Sequence, residues 1–139
     1  MTRTILLLLL TSSVVRADTT VNVEKLSVNG QEIRHLKCVL KNADFFASMI
    51  VAAGVAAEKK ALDACAPEGA AFRVEWKWKG GKASDVKVTA ASAEKAKACV
   101  VKALGQTTAT DADCSAVILV GELKGAEKAA EKAAGTLKD

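Results

Sequence analysis

An α+β fold is predicted for this 139-residue chain, with an N-terminal β-hairpin followed by helix, strand, strand, helix, strand. Three observations predict it. Phe72, Val74, Trp76 and Trp78 alternate strictly with Arg73, Glu75, Lys77 and Lys79, the mark of a strand with one buried and one wet face. The stretches Asp44 to Cys65 and Ser92 to Leu104 instead place apolar residues at helical spacing. Four cysteines behind an export-type start predict two disulfides holding helices and strands together.

The start has three zones: basic Arg3, an apolar run from Ile5 to Leu10 that continues through Val14 and Val15, and a small-residue exit at Ala17. That order reads as a signal peptide over residues 1–17, cut before Asp18. Thr11, Ser12, Ser13 and Arg16 interrupt the run, which falls short of the roughly 18 apolar residues of a membrane span, so no stable anchor is expected after cleavage. Residues 18–121 are expected to form one α+β disulfide-bonded domain, with residues 122–139 as an Ala/Glu/Lys-rich tail. Arg3 and Arg16 would leave with the signal and halve the net charge of +4, so nucleic acid is not indicated as a partner and no strong preference for a polyanion follows.

Val21 to Val28 is rich in β-branched residues, Asn29-Gly30 supplies a type I′ turn, and Ile33 to Cys38 is the return strand. The first helix takes Asp44 as N-cap, shows Phe46, Ile50, Ala53, Ala57 and Ala61 at helical spacing, and stops at Pro67. Phe45 to Ala57 is apolar nearly all round, so this helix is expected to be largely buried against the sheet. After the tryptophan strand, Gly80-Gly81 turns the chain, and Val86 with Val88 continues the alternation. Ser92 is the expected N-cap of the second helix, whose stripe is Ala96, Cys99, Val100, Ala103 and Leu104, ending at Gly105. Ala116 to Val120 is continuously apolar, as suits a central strand buried on both sides. The tail from Glu122 to Asp139 favours helix but offers almost no large apolar side chain, so a frayed, solvent-exposed helix is expected.

The element order from Asp44 to Val120 carries a resemblance. With Leu62-Asp63-Ala64-Cys65, Trp76-x-Trp78, Gly80-Gly81, Ala98-Cys99-Val100 and Cys114-Ser115-Ala116-Val117-Ile118-Leu119-Val120, it resembles a TonB-type carboxy-terminal domain. Within that group it is most similar to the cysteine-bearing AgmX/PglI-type modules of bacterial envelope and gliding-motility proteins. The resemblance implies a non-catalytic envelope domain that works by contact with another envelope protein.

Cys38, Cys65, Cys99 and Cys114 permit three connectivities. Cys65 ends one helix and Cys99 lies in the other, so a bridge between them is natural if both helices cover one sheet face; Cys38 and Cys114 would form the second. Zinc is disfavoured, because no two cysteines have C-x₂₋₄-C spacing and His35 stands alone. No cofactor is indicated.

Trp76 and Trp78 could form an aromatic platform, but with Phe72 and Val74 on the same strand face they read more simply as core. Lys77, Lys79, Lys82 and Lys87 around the second hairpin are the candidate binding residues for an anionic envelope polymer. His35 lacks a recognisable nucleophile and orienting acid, Glu75, Asp111 and Asp113 form no catalytic carboxylate pair, and Gly80-Gly81 lacks phosphate-loop spacing. The expectation is therefore an exported, non-catalytic accessory module acting by protein–protein contact. The alternatives are a lipid or small ligand held between the first helix and the sheet, or a small hydrolase or thiol redox enzyme.

Overall fold

The computed structural model describes residues 18–41 and 46–137. The expected signal peptide and the expected N-cap Asp44 lie outside the described residues.

Both predicted hairpins form, each longer than its alternating centre. Strands β1 (Thr19–Val28) and β2 (Gln31–Leu40) meet at Asn29-Gly30, whose φ angles of 50° and 80° are those of a type I′ turn. Strands β3 (Ala70–Lys79) and β4 (Lys82–Ala91) turn at Gly80-Gly81, also with positive φ. Strand β5 (Ala112–Val120) inserts between the hairpins, giving the antiparallel order β1-β2-β5-β3-β4. The continuously apolar strand is thus the central one, as its sequence predicts.

Alternation along the strands separates two faces. The first carries Phe72, Val74, Trp76 and Trp78 of β3, Ala116, Ile118 and Val120 of β5, and Ile33, Leu36, Cys38 and Leu40 of β2. Trp76 and Trp78 are 1% exposed and meet edge to face with centroids 5.5 Å apart, so both are core. The Trp78 indole donates to Thr107 Oγ1 at 2.9 Å, and the Thr107 hydroxyl donates to the Leu104 carbonyl at 2.6 Å. Both disulfides form as expected, Cys38–Cys114 joining register partners on β2 and β5, and Cys65–Cys99 joining two helices. Closing loops of 76 and 34 residues, each contributes on the order of 4 kcal/mol in the chain-entropy account.

The helices depart from expectation in three ways. The single helix expected up to Cys65 is two, α1 (Ala47–Ala56) and α2 (Lys59–Cys65), separated where Glu58 takes φ −103°, ψ 17°. The break lets α1 lie over β1 and β2 while α2 turns towards β5 and α3 (Lys97–Gly105). Further, the helix expected to be largely buried shows one face to the surface: α1 buries Ala47, Val51, Ala52 and Val55, whereas Phe46, Ile50, Ala53 and Ala57 of the stripe at helical spacing are exposed. A helix apolar all round has no direction in its periodicity, so the surface beneath it selects the buried face. Ser92 is not the N-cap of α3 either. A 3-10 turn (Glu94–Ala96) precedes α3, and the Ser92 hydroxyl accepts from the Ala71 amide at 2.9 Å, tying the end of β4 to β3.

The tail is helical but docked, a correction to the exposed tail expected from sequence. Helices α4 (Leu123–Lys132) and α5 (Ala134–Leu137) cover part of the second sheet face, where Ala126 and Leu137 are buried with Ala71, Val117 and Leu119. Ala130, Ala133 and Ala90 pack around them, so small side chains on the helices meet small side chains on the sheet. Arg34 reaches Glu127 at 3.3 Å, and Arg73 donates to the Leu137 carbonyl at 3.0 Å. At the start of α4 the chain crosses the Pro67–Gly69 turn closely enough that a Cβ on Gly121 (φ 74°) would overlap the Ala66 carbonyl.

Three stability measurements check this arrangement. Gly121→Ala should cost about 3 kcal/mol or more in urea unfolding, from left-handed backbone strain plus backbone overlap. Gly80→Ala, with positive φ but nothing within 4 Å of the added carbon, should cost about 1 kcal/mol. Leu137→Ala should cost about 2 kcal/mol if α5 is docked, and nothing if the tail is frayed.

Candidate functional site

The second sheet face is covered only in part. Its rows change character along β5. Leu119 and Val117 face α4 and α5, whereas the rows through Ser115 and Asp113 lie at an open cleft of about 640 Å³. Register places Lys37, Ser115, Glu75 and Lys87 side by side across β2, β5, β3 and β4. The next row brings Asp113 beside Lys77, whose ammonium lies 3.8 Å from the carboxylate.

Two β-bulges border this cleft. His35 and Leu36 of β2 together oppose Ala116, and Asp85 and Val86 of β4 together oppose Trp76. His35 (φ 51°) and Asp85 (φ 50°) adopt left-handed backbone, uncommon for residues with a side chain. Each extra residue resets the alternation. Ile33 and Leu36 both reach the core although three apart, as do Ala83 and Val86. His35 is thereby turned out of the core, with Nδ1 at 3.3 Å from a Glu24 carboxylate oxygen, into a hollow that shares Lys37 and Ser115 with the main cleft.

Of the four candidate lysines, the fold brings Lys77 and Lys87 into one cleft and leaves Lys79 and Lys82 paired at the hairpin tip. Sequence reasoning missed Lys37, which lines the same cleft from the other hairpin and is invisible to a scan of local spacing. Lys37, Lys77 and Lys87 are matched there by Glu75, Asp85 and Asp113. The cleft is therefore charge-balanced, and the half-exposed Lys77–Asp113 pair contributes no more than about 1 kcal/mol. Such a surface suits polar or zwitterionic groups better than a polyanion. Asp111, by contrast, accepts from the Gly80 amide at 2.9 Å and shapes the turn. Among the described residues no group of three or more His, Cys, Asp and Glu is placed to hold a metal ion.

A second surface lies on α1. Phe46, Met49 and Ile50 are 61%, 50% and 40% exposed, and Ala47–Ala56 contains no charged residue. These positions fall one helical turn apart and so share a face. One turn beyond Ile50, a Cβ added to Gly54 would touch the Trp78 ring at 3.2 Å, so α1 and the core are in direct contact at that point. Among the described residues no helix is long and apolar enough to cross a membrane.

No family model, curated protein or solved structure matches the chain.

If the His35 backbone serves to reset the strand, glycine should replace it freely. His35→Gly should change unfolding stability by less than about 0.5 kcal/mol, whereas the β-branched His35→Val should cost about 1 kcal/mol or more.

Proposed function

We propose that this chain is an exported, non-catalytic accessory module that binds an envelope protein through the outer face of α1. The observation that carries this reading is the exposed, uncharged ridge of Phe46, Met49 and Ile50 on a helix whose other face is already packed. An apolar group of this kind on a surface otherwise rich in charge is characteristic of a contact site.

Export is supported by the signal-like residues 1–17 and by the pairing of all four cysteines, which an oxidising compartment forms and keeps. A contact role is further supported by the resemblance to TonB-type domains. The succession α1–α2, β3, β4, α3, β5 has the helix, strand, strand, helix, strand order on which that resemblance rests.

The test is site-specific photo-cross-linking in envelope extracts, with the probe at position 49 and, as a control, at position 82. Position 49 should yield a reproducible protein adduct that Ile50→Glu reduces at least tenfold or so without lowering thermal stability, since a charge at a desolvated contact costs several kcal/mol. Absence of any adduct at position 49 across growth states, or equal adducts at both positions, would contradict the assignment.

A further inference from the structure

We propose that the Cys65–Cys99 bridge is a thiol–disulfide exchange site, opened by an external dithiol while Cys38–Cys114 stays oxidised. The two bridges differ in access. Cys38 and Cys114 are 0% and 3% exposed and belong to the core between the central strands and the helices. Cys99 is exposed on α3, and Cys65 is half-buried at the end of α2 with its sulfur 3.3 Å from the Ala61 carbonyl. Exchange requires a thiolate to reach a sulfur atom, so access separates the two bonds before any difference in potential does. Exposed Lys102 lies one turn along α3 on the face of Cys99, and exposed Lys95 lies one turn before it. Positive charge there favours the approach and formation of thiolates.

The step balances as a two-electron exchange. The dithiol's thiolate attacks the Cys99 sulfur and forms a mixed disulfide, while the electron pair of the broken bond leaves on the Cys65 sulfur, which takes up a proton. The second thiol of the reductant then displaces Cys99. It leaves as a thiolate and is protonated, and the reductant departs as its own disulfide.

What the bond holds is α2. This seven-residue helix buries only Leu62, and its remaining ties are the bridge and Asp63. Asp63 accepts from the Gly121 amide at 2.8 Å and pairs with Lys59 at 2.7 Å. The chain is fixed beyond it, where the Gly69 amide donates to the Ala66 carbonyl and the Glu122 amide to the Pro67 carbonyl, both at 3.0 Å. Reduction therefore loosens α2 without undoing the crossing at Gly121 or the sheet.

The experiment uses the folded full chain with dithiothreitol as the reductant, timed alkylation and non-reducing peptide mapping. Cys65 and Cys99 should become alkylated together, at least about tenfold faster than Cys38 and Cys114, with tryptophan fluorescence unchanged. Loss of both bridges at one common rate, or earlier loss of Cys38–Cys114, would overturn the proposal. Amide hydrogen exchange on the partly reduced protein should show residues 59–65 losing protection while residues 70–79 and 112–120 keep theirs. The double variant Cys65→Ser/Cys99→Ser should reproduce that pattern. Unchanged protection of α2 in both would refute its role as the clamped element.

Discussion

The two-sided burial of β5 governs the rest of the molecule. Its residues Ala116 to Val120 are all buried, with alternate side chains pointing to opposite faces of the sheet. A strand of this kind must be central, and it must have a cover on each side. The hairpins supply its neighbours, and Ala116, Ile118 and Val120 lie on the sheet face that α1, α2 and α3 pack against. Val117 and Leu119 need a second layer, which α4 and α5 provide. Ala126 and Leu137 of the tail are thus part of the fold's interior.

That division also decides where surface is left over. The second layer ends at the row of Arg34, Val117 and Arg73, and the guanidinium groups of both arginines bond to the tail. Beyond that row the sheet is polar and open, with three lysines and three carboxylates in close balance. On the first face the helices bury the central strands, and α1 carries Phe46, Met49 and Ile50 on its outer side. The two exposed surfaces therefore differ in chemistry, one charged and concave, the other apolar and convex. The disulfides follow the same division, one holding β2 to β5 within the core and the other holding α2 to α3 at its rim.

Much of this was legible in the sequence. The tryptophan strand announces itself by strict alternation, both turns by their glycine dipeptides, and the central strand by an unbroken apolar run. The cysteine pairing followed from placing Cys65 and Cys99 on helices over one face. The direction of α1 was not legible, because Ala47–Ala56 is apolar on every side and only the shape of the sheet beneath selects a face. The docking of the tail was half legible. Val117 and Leu119 already called for a cover, and Ala126, Ala130, Ala133 and Leu137 recur at helical spacing, but a stripe of alanines looks too weak until the equally small Ala71 and Ala90 are seen opposite. The bulges had a local trace, since Ile33 and Leu36 stand three apart where a regular strand needs two or four. The open cleft had none, because it joins Lys37 to Lys77 and Lys87 across strands that are distant in sequence.

Amide hydrogen exchange on the native protein, resolved by residue, tests the two-layer account most directly. It predicts that amides of Ala116 to Val120 exchange only through global unfolding and that amides of α4 from Glu127 to Ala130 are protected well above the level of an isolated helix. Free-peptide exchange rates throughout α4, alongside a slowly exchanging β5, would contradict it, because the central strand would then keep its burial without the second layer.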